Sequence, residues 1–188
     1  MRLLKSYFSY MENPQPGWFS YFRRGSFLQS CAGYLAAAVS LVIFFNIGKG
    51  LSVIGLFARL LFLFVAEVTA GYFIASLTGL YLHFQKKPIV CSDLFSMISL
   101  AGFLKTLLIP WALIAAVFPN LGLSDIGFFW LGAVVLLQIC YLTSELKRLG
   151  NLSVDRAFLA WMMGIWPVFL LLGIVFIFGV WGLVWLFE

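Results

Sequence analysis

Histidine occurs once in this chain, at position 83, and cysteine three times, at 31, 91 and 140. A zinc site needs three or four ligands brought together by close spacing, and dispersed cysteines define no disulfide framework. No metal is therefore expected. Charge is also scarce: 10% of the residues are charged, whereas a soluble domain carries about 25%. That excludes a soluble globule. Gly50 and Gly55 have the four-residue gap of a phosphate loop, but no Lys-Ser/Thr pair follows them, so nucleotide binding is not indicated. Cys91, beside Ser92 and Asp93, lacks a base to activate it. With no acid/base pair or nucleophile in a supporting context, the chain reads as a non-enzyme that needs no cofactor.

What it has in quantity is apolar sequence: 63% of 188 residues are hydrophobic and 19% aromatic. Several runs reach the ~20 residues that cross a bilayer core, and polar, basic segments separate them. The expected fold is all-α, a polytopic integral membrane protein with a five-helix transmembrane bundle and interfacial amphipathic helices. Residues 1–26 form a cytoplasmic or interfacial lead-in with Trp18, Phe19, Tyr21 and Phe22 at the membrane surface. Its polar, arginine-containing character before the first long run argues for a retained segment rather than a removable signal.

The membrane domain occupies 27–188, with spans at about 27–48, 57–84, 100–118, 126–146 and 167–187. Gly48-Lys49-Gly50 turns the chain after the first span, and the PNLGLSD segment turns it after the third. Ser92 or Asp93 caps an interfacial helix that leads into the third span, which contains Pro110. Ser153 caps the last helix, whose run to Phe187 is too long for one crossing. Its first part, to about Trp166, is therefore assigned to the interface, and the span begins at Pro167.

The net charge of +5 does not indicate nucleic acid, because the bases sit at the ends of apolar runs. Arg2, Lys5, Arg23, Arg24, Lys86, Lys87, Lys147, Arg148 and Arg156 fall in alternate loops, and the positive-inside rule places those loops in the cytoplasm. Five spans then leave the C-terminus outside. Membrane lipids are the expected partners, together with a membrane protein or a second copy of the chain.

One acid stands well inside an apolar run, Glu67 in LLFLFVAEVTAGYFIASLTGLYLHF. A charge at the centre of a membrane helix costs about 2.5–3.5 kcal/mol, so it requires a partner, a proton or a task. Steps of four along the run give Arg59, Leu63, Glu67, Gly71, Ala75, Gly79 and His83, a slowly rotating stripe with small-xxx-small spacing. Glu67 is thus expected to face the bundle. Asn46 is placed at a comparable depth and is the expected partner; Arg59 lies two turns away, and Lys105 is expected nearer the inner head groups. Glu67, Asn46, Arg59 and Lys105 together form the candidate intramembrane polar site. It serves either to cement the helices or to hold a proton, an ion or a head group.

Four segments resemble the Yip1 family of small five-span membrane proteins, in its bacterial, short-tailed form. They are the lead-in MENPQPGWFSYFRR, the segment SDLFSMISLAGFLKTLLIPWAL, the Trp130 span GFFWLGAVVLLQICYL, and the turn GNLSVDRAFLAWMMGIWP with Gly150, Leu152, Ser153 and Ala157. The resemblance implies an N-cytoplasmic, five-helix bundle without a catalytic motif, and a scaffold or adaptor role among membrane partners. The alternative expectation is a small transporter or lipid-translocating protein that uses the polar site around Glu67.

Overall fold

The computed structural model describes residues 27–46, 52–87, 89–118 and 123–187. The expected surface segment 1–26, the Gly48-Lys49-Gly50 turn and the first part of the PNLGLSD turn lie outside them. All regular structure among the described residues is helical: α1 (Phe27–Asn46), α2 (Val53–Phe84), α3 (Cys91–Gly102), α4 (Leu108–Val117), α5 (Leu123–Gly150) and α6 (Val154–Phe187). A 3-10 helix, Phe103–Leu107, joins α3 to α4. Four stretches are long and apolar enough to cross a membrane: Val53–Phe84, Cys91–Val117, Ile126–Gly150 and Val154–Leu171. Ser30–Asn46 is a shorter apolar helix. This is the composition of a multi-pass membrane protein.

Local chemistry accounts for most of the boundaries. Ser52, in extended geometry, accepts the Gly55 N–H at 3.1 Å and satisfies one of the free donors of the first turn. As a result α2 begins at Val53 rather than near Phe57. At its other end the N–H of Lys87 reaches the Leu82 carbonyl and that of Lys86 the His83 carbonyl, each at 3.0 Å. Lys86 takes φ 55 between them, which makes a Schellman cap with lysine where glycine is usual. Helix α5 ends in the same manner: Asn151 has φ 48, and the Leu152 N–H bonds to the Lys147 carbonyl at 3.1 Å. The Ser153 carbonyl accepts the first bond of α6, from Ala157 at 3.1 Å, as the sequence predicts.

Three expectations about these helices are corrected. The expected caps Ser92 and Asp93 lie inside α3, which starts at Cys91 after an uncapped Val90. Nor does that segment lie on the surface of the bundle: every residue from Asp93 to Gly102 is buried. The reason lies in its hydroxyls, which bond across to α1 instead of facing water. Ser30 and Ser96 share a hydrogen bond of 2.9 Å, and Ser99 Oγ donates to the Ser30 carbonyl. Finally, α6 runs unbroken through Pro167, and its first part is core. Ala157, Ala160 and Trp161 are fully buried there, and the Trp161 indole N–H donates to the Leu142 carbonyl of α5 at 2.8 Å.

Paired residues give the directions of the helices. Asn46 meets Arg59 and Tyr34 meets Gly71, so α1 and α2 are antiparallel. Ser76 meets Cys91 while Glu67 meets Lys105, so the α3–α4 segment runs against α2. Trp130 stacks on Trp111 and donates to the Leu107 carbonyl at 3.2 Å, which sets α5 against α4. Gly164 lies on Thr78 while Arg156 shares a pocket with Tyr81 and Gln85, so α6 runs against α2.

Candidate functional site

Pro110 positions the charged centre of the bundle. Its ring crowds the carbonyl four residues back, that of Thr106, and it has no N–H to complete the helical ladder. The chain tightens into the 3-10 helix just before it, and Thr106 Oγ donates to the Phe103 carbonyl at 2.7 Å. Lys105 is in the middle of that helix, and its ammonium forms an ion pair with the carboxylate of Glu67 on α2. Their side chains are 13% and 21% exposed, so the pair is largely withdrawn from the surroundings. Both residues fall near the midpoints of their apolar stretches, Val53–Phe84 and Cys91–Val117.

This partnership differs from the expected one. Lys105 pairs with Glu67, because its helical segment starts at Cys91 rather than near Leu100, and the added turns move the lysine from the end of an apolar stretch to its middle. Asn46 does not bond to Glu67. It is buried, its amide N–H donates to the Val42 carbonyl at 2.8 Å, and its side-chain oxygen accepts from exposed Arg59. The four sequence-predicted residues therefore form two separate pairs. Glu67 and Arg59 are eight residues apart on one helix, so about 12 Å of α2 separates these pairs.

The inward orientation read from the stripe is borne out at Glu67, Gly71 and Ala75. From there the buried face continues through Thr78 and Leu82, while Gly79 is half-buried and His83 exposed. A Cβ at Gly71 would collide with the phenol of Tyr34, which is buried, donates to the Phe95 carbonyl at 3.0 Å and packs on that ring at 4.9 Å. Sequence reasoning missed Tyr34 and the Ser30/Ser96/Ser99 group. A signal was present in the latter: Ser96, Ser99 and Gly102 recur every three residues, a small-residue face that polar character disguises.

Chemically, a buried ammonium–carboxylate pair can do two things. It can fix two helices in register, since removing either partner strands the other charge, or it can exchange its proton and part. No group of three or more metal-ligating side chains comes together among the described residues. Comparison with family models, with curated proteins and with solved structures returns no match.

Proposed function

We propose that this chain is a non-enzymatic, five-span membrane scaffold or adaptor, with α1, α2, the α3–α4 segment, α5 and α6 as the spans. The observation that carries the reading is the Glu67–Lys105 pair, in which the acid that most needs a task already has an internal partner on a neighbouring span. Polar groups committed to one another at mid-helix hold a bundle together, and the work of the molecule moves to its outer faces and rims. The resemblance to the Yip1 family, carried by the segments quoted above, fits that role. Basic residues Lys86, Lys87, Lys147, Arg148 and Arg156 fall at or beside the α2–α3 and α5–α6 turns, which we assign to the cytoplasmic side.

Purification in mild detergent, followed by mass spectrometry of co-purifying protein and lipid, tests the proposal. A stoichiometric membrane-protein partner that persists in the Glu67→Gln/Lys105→Gln variant is the expected result. The second reading, a small transporter, is favoured by the position of Lys105 in a 3-10 helix beside Pro110, since such a stretch is often a hinge. Under that reading the same double variant folds but loses solute or proton flux in proteoliposomes.

A further inference from the structure

The two Schellman caps bring more than helix ends together. Between them lies a small pocket lined by Tyr81, Leu82, Gln85, Lys87, Leu152 and Arg156. Each cap contributes the residue just past its left-handed position: Lys87 follows Lys86, and Leu152 follows Asn151. Arg156 comes from the first turn and a half of α6, so three segments of the chain meet at one opening. The site has two cations, two hydrogen-bonding side chains and an apolar floor of Leu82 and Leu152, both buried.

No acid lines it. Glu145 pairs with Arg148 at 3.5 Å, Asp93 is buried in α3, and Asp155 is exposed outside the lining. Exposed apolar side chains stand on the same two helices. Leu80 and Phe84 are exposed on α2 beside Tyr81 and Gln85, and Leu159 is exposed one turn along α6 from Arg156. Cations on helices that also expose apolar side chains match a ligand with an anionic head and hydrocarbon tails, and basic pockets between helices on the cytoplasmic side bind such heads.

We propose that this pocket binds the phosphate of an anionic phospholipid, held by Lys87 and Arg156, with Gln85 and Tyr81 as hydrogen-bonding partners. The assignment rests on the reading of the chain as a membrane protein with these loops at the cytoplasmic face. Lysine at the left-handed position 86 becomes understandable on this view. Residues held in sparsely populated backbone regions concentrate where function requires a fixed geometry, and here the turn directs the next lysine into the pocket.

The test is native mass spectrometry and thermal stability of the detergent-solubilised full chain, titrated with phosphatidylglycerol, phosphatidylcholine or soluble glycerol 3-phosphate. Retention of one phosphatidylglycerol, with at least tenfold weaker retention of phosphatidylcholine, is expected. Lys87→Gln/Arg156→Gln should weaken phosphatidylglycerol at least tenfold, whereas Lys86→Gln/Lys147→Gln, which removes equal charge from the same rim outside the pocket, should stay within twofold. Arg156→Lys keeps the charge and should bind within about threefold, which separates lost recognition from lost folding. Equal weakening by the two double variants, or equal retention of both lipids, overturns the pocket. Competition by glycerol 3-phosphate at the lipid's own concentration overturns the lipid assignment in favour of a small phosphate ligand. A chain recovered in the soluble fraction overturns the membrane reading, whereas a membrane-extracted chain without the selective loss overturns the pocket alone.

Discussion

Lys105 supports only what Glu67 returns to it. Removing the ammonium as Lys105→Met leaves a carboxylate at mid-helix, and a lone charge there costs about 2.5–3.5 kcal/mol unless it takes up a proton. Lys105→Met should therefore lower the midpoint of thermal unfolding in detergent, and Glu67→Gln added to it should recover much of the loss. Two single variants whose effects simply add would deny the coupling. A separate prediction concerns Lys86, whose left-handed backbone costs a side-chain-bearing residue roughly 1–2 kcal/mol. Lys86→Gly relieves that cost and should raise the unfolding midpoint; a fall would mean that the lysine side chain stabilises more than its backbone loses. At this scale the sequence was informative about direction and misleading about partnership, since it pointed to Asn46. Four-residue spacing aims Glu67 inward whatever the neighbouring helices do, but the depth of Lys105 depends on where another helix starts.

Helices, in turn, were misjudged wherever polarity suggested water. Ser92 or Asp93 reads as the cap of an interfacial helix, yet Ser96 and Ser99 bond to α1, and the residues from Asp93 to Gly102 go inside. A different signal misled at α6, where the length of the apolar run suggested an interfacial first part before Pro167, yet the helix is continuous and Ala157, Ala160 and Trp161 of that part are buried. Ends with a turn signature were legible: the start of α6 at Ser153 follows from the sequence. The close approach of α1 to α3 makes a sharp prediction about glycine. A Cβ at Gly33 would run into the backbone carbonyl of Ser99, and one at Gly102 would come within 2.8 Å of the Gly33 carbonyl. Gly132 and Gly173, by contrast, have nothing within 4 Å. Gly33→Ala should destabilise by pushing two helices apart, on the order of the 1–3 kcal/mol that overpacking costs. Gly132→Ala should be neutral or stabilise by up to about 1 kcal/mol through helix propensity. Chemical or thermal denaturation of the two variants side by side checks both, and equal effects would contradict the packing described for Gly33.

For the whole molecule, the five basic residues near the α2–α3 and α5–α6 turns carry the proposed orientation, with those turns in the cytoplasm. In a cysteine-free background, Lys86→Cys and Lys147→Cys should react with a membrane-impermeant maleimide only after the cell is permeabilised. Val53→Cys, exposed at the opposite end of α2, should react without permeabilisation. The reverse pattern would invert the topology, and reaction of all three in intact cells would remove the alternation altogether. The mid-bundle ion pair also has a consequence for synthesis. Glu67 and Lys105 are separated by 38 residues, and at about 5–20 residues per second the ribosome delivers the lysine roughly 2–8 s after the acid. During that interval the α2 segment has no counter-charge from its later neighbour. It must wait beside the insertion machinery, stay near the head groups or carry a proton, and it can settle only once the third span arrives. On the proposed membrane reading, the order of translation therefore couples these two helices during membrane entry.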